Sequence, residues 1–367
     1  MADERMRVAV VYGGRSGEHE VSVESARSVL EAIDRSKYDV LPVRITHEGM
    51  WAAIAPDALL NEADPVRWIL PSAEPLVSDL TAVQGGRRAL ASLSQQVDVV
   101  FPLVHGTYGE DGCLQGLLEL ANLPYVGASV LASAVGMDKI IMKSVFQASG
   151  LPVVEYIGIL RSEWEHSPAT VTEAIADRLG FPCFVKPSNL GSSVGISKVR
   201  ARVELPAALN FAAEFSSRII AERGIDAREI ECGVLGNDQA AASVVGEVAP
   251  ARDFYDYAAK YMDTETRFDI PARLDEETIR QVRDLSLRAF AAVGASGMAR
   301  VDFFVDRDSG KVFINEINTI PGFTSMSVYP RLWAASGVQY AELIDRLIQL
   351  AIERHADMAR NRTRYAD

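Results

Sequence analysis

Apolar residues recur along the chain in two rhythms. Arg7–Tyr12 (RVAVVY) and Val97–Val104 (VDVVFPLV) are short, nearly continuous apolar runs, the pattern of strands buried on both faces of a parallel sheet. Between them, Ser22 can cap a helix on which Val23, Ala26, Leu30 and Ile33 share one face, and Asp39–Ile45 follows as another strand. This alternation predicts a doubly wound α/β unit with loops gathered at the strand C-termini, where ligands bind. Residues from about 55 to 95 are less regular and richer in Pro, Ser and Gly, and read as a variable connection.

Leu114–Leu120 and Ala128–Ser149 are helical in pattern, and Gly150-Leu151-Pro152 closes them off. Beyond that point the texture changes. Short strands (Phe181–Lys186, Val194–Val199, Arg218–Glu222) with two helices among them make an α+β module. Longer strands (Ile230–Leu235, Met298–Val305, Val312–Ile317) and helices at Glu276–Val293 and Tyr340–Ile352 complete the chain. The last helix carries Leu343, Ile344, Leu347, Ile348 and Ala351 on one stripe, so it packs onto the body. Three units are expected, 1–135, 136–225 and 226–360, followed by a polar, frayed tail at 361–367.

Composition narrows the function classes. With 50 acidic against 37 basic side chains the formal net charge is −13, which argues against nucleic acid or an anionic membrane surface as the main partner. A few local lysines can still hold an anionic substrate. No apolar run approaches the roughly 18–20 residues that span a bilayer. The charged start leads straight into a strand-like run without the pattern of a signal peptide, and a cytoplasmic protein is expected. Cys113, Cys183 and Cys232 are far apart among apolar neighbours and read as reduced core residues.

The segment richest in candidate chemistry is Arg300-Val301-Asp302 … Glu316-Ile317-Asn318. Strand side chains alternate, so Arg300 and Asp302 share a face, as do Glu316 and Asn318. A three-residue loop within Arg307-Asp308-Ser309-Gly310, with Gly310 left-handed, would set Asp302 opposite Glu316 and Arg300 opposite Asn318. Three oxygen-bearing side chains beside one guanidinium suit Mg²⁺ shared with nucleotide phosphates. A solvent-facing charged hairpin is the plainer alternative; Val301, Phe303, Phe304 and Val305 weigh against it.

A strand ending in Lys186-Pro187 runs into Ser188-Asn189-Leu190-Gly191-Ser192-Ser193-Val194-Gly195, small residues that let backbone N–H groups approach phosphate oxygens. The lysine precedes the glycines, so this is no Walker A loop. Lys139, in Met137-Asp138-Lys139, reads by itself as a solvated helix charge. Glu222 ends a strand and can accept from an adenine amino group, and Glu229 from ribose hydroxyls. Near the front, Gly13-Gly14-Arg15-Ser16-Gly17-Glu18-His19-Glu20 departs from G-x-G-x-x-G, which counts against a nicotinamide oxidoreductase. Glu18 suits either a substrate ammonium or the N-terminus of the next helix. His105 ends a strand on the ligand side, beside the tight polar loop Tyr108–Gly112.

Taken in order, GGRSGEHEVS (13–22), HGTYGEDG (105–112), MDK (137–139), FVKPSNLGSSVG (184–195), FYDYAAKY (254–261), ARVDFF (299–304) and NEINTIPGFTSMS (315–327) resemble the ATP-grasp superfamily, and within it the D-alanine–D-alanine ligase family. The resemblance implies a mixed α/β and α+β ATP-grasp fold with an N-terminal Rossmann-like substrate domain. It implies ATP, two Mg²⁺ ions with Mn²⁺ as an alternative, D-alanine as substrate and a homodimer. Lys139, Lys186 and Lys260 would touch phosphates, Glu222 and Glu229 adenine and ribose, and Asp302, Glu316 and Asn318 the metal ions. Glu18 would hold the first ammonium and Ser327 with Lys260 the second carboxylate; His105 joins the substrate residues. Arg300 and the Gly322 backbone would face oxyanions. A lid bearing Tyr255, Tyr257 and Tyr261 would be tied down by Ser192 and Glu18. Relatives that make D-alanyl-D-lactate typically carry histidine at 261, so the tyrosine favours an amine acceptor. Arg223 stands where lysine is common and Ile320 where leucine is. A nucleotide-binding regulator without turnover is disfavoured by the intact lysine, arginine and carboxylate set.

Overall fold

The computed structural model describes residues 5–61, 95–192, 194–249 and 267–362. The 55–95 connection, the lid tyrosines with Lys260, and most of the tail fall largely outside that range.

Three sheets organise the chain. The first has the order β3-β2-β1-β4, from β1 (Met6–Gly13), β2 (Tyr38–Ile45), β3 (Trp51–Ala53) and β4 (Val99–Pro102). β1 runs parallel to both β2 and β4, and only the short β3 is antiparallel. Alternation along β1 feeds two cores. Val8, Val10 and Tyr12 pack with Val23, Ala26 and Leu30, whereas Ala9 and Val11 pack with Leu114 and Leu118. Helices therefore cover both faces, as an apolar run of this kind demands. The final helix, Tyr340–Met358, buries the expected Leu343, Ile344, Leu347, Ile348 and Ala351 in the first of these cores.

The second sheet, order β5-β8-β6-β7, is built from β5 (Tyr156–Leu160), β6 (Cys183–Pro187), β7 (Ser197–Val199) and β8 (Arg218–Arg223). The third, order β11-β10-β9-β12-β13, comprises β9 (Ala227–Gly236), β10 (Ala241–Ala249), β11 (Arg267–Asp269), β12 (Gly297–Asp306) and β13 (Val312–Asn318). The Glu276–Ala292 helix buries Val282, Leu285, Ala289 and Phe290 against this sheet.

Four local expectations are corrected. Ser22 does not cap the first helix, which starts three residues earlier, at His19. Its buried hydroxyl instead donates to the Leu103 carbonyl at 2.5 Å and accepts from the Gly13 amide at 2.7 Å, tying the helix to two strand ends. The 128–149 stretch is two helices, Val130–Met137 and Lys139–Ala148, because Asp138 leaves the helical region and caps the second by accepting from the Ile140 and Ile141 amides. Cys113 is exposed, unlike the buried Cys183 and Cys232. β5 and β10 had no clear sequence signal, since the one is short with a central glycine and the other is rich in Ala, Ser and Gly.

The fourth correction lies in the β12–β13 hairpin. At its closed end Val305 pairs with Val312 and Phe303 with Ile314, a register that would place Asp302 opposite Asn315. A one-residue bulge there restores Asp302↔Glu316 and Arg300↔Asn318. The anticipated pairing is present, set by the bulge rather than by the turn alone.

Candidate functional site

The ends of β1 and β4, the 188–195 loop and the β12–β13 hairpin enclose a cleft of about 610 Å³, continuous through Lys139, Glu229 and Glu316 with a second cavity of about 460 Å³.

At one end, Glu18 sits at the N-cap position of the first helix but makes no side-chain cap bond. Its carboxylate accepts from the Ser192 hydroxyl. The choice left open by the sequence is thereby decided in favour of a carboxylate turned into the cleft. Ser192 reaches it from a left-handed backbone conformation, φ 50°. Beside it, His105 is enclosed. The Ile320 carbonyl at 3.1 Å can only accept, so Nδ1 carries the proton, with Glu110 Oε1 3.3 Å away and the Ser25 hydroxyl 3.1 Å from Nε2. Burial pulls the imidazole pKa down, but Glu110 and Glu18 outweigh it and the balance is upward. Burial drives the Glu110 carboxyl up in turn.

At the other end, Arg300 donates to both oxygens of Asp302 at 2.7 Å and lies 3.1 Å from Glu231. These carboxylates overcome burial and hold the guanidinium well above its ordinary pKa. The Asn318 amide donates to Asp302 at 2.9 Å. Glu316, on the same face, lies 3.3 Å from the Lys139 ammonium, which also donates to the Leu190 carbonyl at 2.9 Å. Lys139 is thus a buried bridge between the small-residue loop and the hairpin, not a solvated charge. Asp138 orients it, since the same carboxylate that caps the helix accepts from Ser188 at 2.7 Å and Arg218 at 2.6 Å. The Ser327 hydroxyl accepts from the Thr324 amide at 3.0 Å without capping the helix that follows, and Ser327 lies beside Gly322 in the cleft lining.

The second cavity is lined by Phe184, Lys186, Glu222, Ile225, Glu229 and Phe304, apolar walls with a few aimed charges. Glu222 is enclosed between Lys143, whose Nζ is 2.9 Å from Oε1, and Lys186 on Oε2. Burial alone would raise its carboxyl; the two ammoniums outweigh that and hold it at about 2. Arg223, by contrast, turns outward, donating to the Arg178 carbonyl at 2.8 Å and pairing with Glu155 at 2.9 Å.

Lys260 and Tyr261 lie outside the described residues; every other expected site residue lines one of the two cavities. Four residues that sequence reasoning gave no role complete the charge pattern: Glu110, Asp138, Lys143 and Glu231. Two carried a usable signal. Glu231 stands two residues after Glu229 on one strand face, and Lys143 stands four after Lys139 on one helix face.

The chain is similar to known proteins over nearly its whole length. Residues 7–128 match the family described as D-ala D-ala ligase N-terminus, and 145–349 match D-ala D-ala ligase C-terminus. The D-alanine--D-alanine ligase of Heliobacterium modesticaldum is 47% identical over 364 residues, covering 98% of each chain. The chain belongs to the D-alanine–D-alanine ligase family. That of Geobacillus thermodenitrificans is 48% identical, covering 96% of this chain and 97% of the relative. Among solved structures of the family's fold, the D-alanine-D-alanine ligase from Coxiella burnetii superposes with a TM-score of 0.84 at 37% identity, covering 97% of this chain and 96% of that one. VanG D-Ala:D-Ser ligase from Enterococcus faecalis gives 0.82 at 35%, covering 95% and 100%. The fold is therefore the mixed α/β ATP-grasp fold expected from the sequence.

Proposed function

We propose that this chain joins two D-alanine molecules into D-alanyl-D-alanine at the expense of ATP, supplying a peptidoglycan precursor, and that the cleft described above is where it does so. The observation that carries the assignment of the site is the adjacency of a lysine-bearing wall (Lys139, Lys186, the 188–195 loop) to a carboxylate hairpin, beside a pocket lined by Glu18.

A carboxylate is a poor acyl donor. The γ-phosphoryl group of ATP first passes to the carboxylate of one D-alanine, giving an acyl phosphate. The amine of the second then attacks that carbonyl, and phosphate leaves from the tetrahedral intermediate. The protein supplies no covalent nucleophile; it positions reactants and faces cations toward growing negative charge. Glu18 holds the first ammonium, with Ser192 fixing the carboxylate and His105 supporting the wall. Ser327, with Lys260, receives the second carboxylate. Arg300, kept charged by Asp302 and Glu231, and the Gly322 amide face the oxyanion. Lys139 and Lys186 take phosphate oxygens, Glu222 and Glu229 the adenine and ribose, and Tyr261 closes the lid against water.

The donor set on the hairpin fits magnesium. Among the described residues no three His, Cys, Asp or Glu gather as a metal cluster. Two carboxylates and an amide on one face, with phosphates completing the shell, are what a hard cation that keeps few protein ligands requires. Asp302, Glu316 and Asn318 would hold two Mg²⁺ ions, or Mn²⁺, which would offset the negative charge of the phosphates.

The three sheets support a division into domains at 1–135, 136–225 and 226–360 with a tail at 361–367. No described helix is long and apolar enough to cross a membrane. We read the enzyme as a cytoplasmic homodimer, and sedimentation at micromolar concentration tests the dimer.

Incubation with ATP, Mg²⁺ and D-alanine, followed by mass and chirality analysis, tests the reaction. D-alanyl-D-alanine with ADP and phosphate is expected, and ADP release without dipeptide would overturn the reading. The similarity to a D-Ala:D-Ser ligase gives D-serine as the one competing acceptor, and equimolar D-serine in the same mixture decides between them.

A further inference from the structure

Lys143 has no part in the roles set out above. Among the described lysines and arginines it alone is fully enclosed, 0% exposed. It stands one helical turn after Lys139, with Nζ 2.9 Å from Glu222 Oε1 and donating to the Asn315 carbonyl at 3.1 Å. Asn315 is the residue that the β13 bulge inserts, so the bulge that sets the hairpin's register also presents a carbonyl to this lysine. Lys186, Glu222 and Asn315 line the 460 Å³ cavity; Lys143 lies behind them and lines neither cavity.

Lys186 occupies the other oxygen of the same carboxylate. An ammonium that serves phosphates must let go of Glu222 when nucleotide arrives. Were it the only counter-ion, its departure would leave a buried, uncompensated carboxylate, a strongly unfavourable state. Lys143 removes that penalty. It cannot follow Lys186 into the cavity, because it is held behind the wall by a second bond to backbone. Its charge also competes for the carboxylate and loosens the Lys186 pair.

Resting on the nucleotide site proposed above, we propose that Lys143 is a positioning residue: the resident counter-ion of Glu222, which frees Lys186 to exchange between Glu222 and the phosphates of ATP.

The test measures ATP dissociation constants by calorimetry, with KM for ATP and D-alanine, on the full-length wild type and on Lys143→Met, Glu222→Gln and the double variant. Loss of Lys143 locks Lys186 onto Glu222, so ATP binding by Lys143→Met weakens about tenfold while KM for D-alanine changes less than about twofold. Neutralising Glu222 in the same chain releases Lys186. The double variant therefore binds ATP more tightly than Lys143→Met and to within about threefold of Glu222→Gln alone. A merely structural lysine gives additive losses and raises both KM values. Wild-type ATP affinity in Lys143→Met, or a loss that Glu222→Gln does not relieve, would overturn the proposal. If Lys143→Met does not fold, the double variant still decides, since the proposal requires it to fold and bind ATP. Failure of the wild type itself to bind ATP would instead overturn the site assignment, and this inference with it.

Discussion

Two buried charge clusters face each other across the cleft, and they are unbalanced in opposite directions. In the third sheet, three carboxylates (Glu231 on β9, Asp302 on β12, Glu316 on β13) act on one guanidinium, Arg300. At the second sheet, two ammoniums (Lys186 on β6 and Lys143 on the Lys139–Ala148 helix) flank one carboxylate, Glu222 on β8. Each cluster pairs part of its own charge internally, which lowers the cost of burial. What remains on each side is a surplus, negative where we propose a divalent cation and positive where we propose phosphates. Lys139, at the start of its helix, joins Glu316 to the Leu190 carbonyl of the neighbouring loop. The comparison teaches that the surplus of a cluster, not the presence of charged residues in it, tells what it is built to hold.

Breaking the negative side has the largest consequence. Glu316→Gln removes the negative charge and one oxygen of the proposed metal ligand and weakens the Lys139 pair, and ligation is expected to fall by about a thousandfold or more with the fold intact. Phosphate-release rates beside far-ultraviolet circular dichroism check it; near-wild-type turnover would refute the hairpin's role. Breaking the positive side costs binding first. Lys186→Ala weakens ATP by about a hundredfold, the loss of a charge-assisted contact, and calorimetry showing unchanged affinity would sink its phosphate role.

The two ends of the substrate pocket sharpen the contrast. Glu18→Gln keeps the Ser192 contact but removes the charge, so KM for the first D-alanine rises about tenfold or more while ATP affinity stays put. Initial-rate analysis over both D-alanine sites separates these effects.

A pH profile reads the positive cluster directly. Glu222 is depressed to about 2 from an ordinary value near 4.5, so the stability it contributes is fully present above about pH 4.5. That contribution is lost as pH falls toward 2. Urea unfolding between pH 2 and 7 should therefore show a decline in this window that flattens in Glu222→Gln. The smallest effect belongs to Arg223, which borders the second cavity but whose guanidinium is engaged by the Arg178 carbonyl and Glu155. Arg223→Lys should move KM for ATP by less than about threefold, within the range of a surface change of about 0.5 kcal/mol.

Much of this was legible in the sequence because strand alternation is a strict rule. It places Arg300 with Asp302 and Glu316 with Asn318 on shared faces, as the paired strands show. The apolar stripe of the last helix was equally plain. The bulge at Asn315 was not, since nothing in a strand's composition marks an inserted residue when its neighbours keep the pattern. Pairings between distant elements were also hidden. That Lys143 neutralises Glu222, or that Asp138 gathers Ser188 and Arg218, depends on how sheets pack, which no local period encodes. The break at Asp138 was visible as a capping residue, but the helical pattern running through it concealed the stop. Glu18 could be decided only when Ser192 was found against it.

The most direct test of opposed surpluses is a crystal structure grown with a non-hydrolysable ATP analogue and Mn²⁺, using anomalous scattering to place the ions. The account predicts two peaks about 2.0–2.3 Å from oxygens of Asp302, Glu316 and Asn318, with Lys186 moved from Glu222 to a phosphate and Lys143 unmoved. Peaks remote from the hairpin, or phosphates lying away from Lys139 and Lys186, would contradict it.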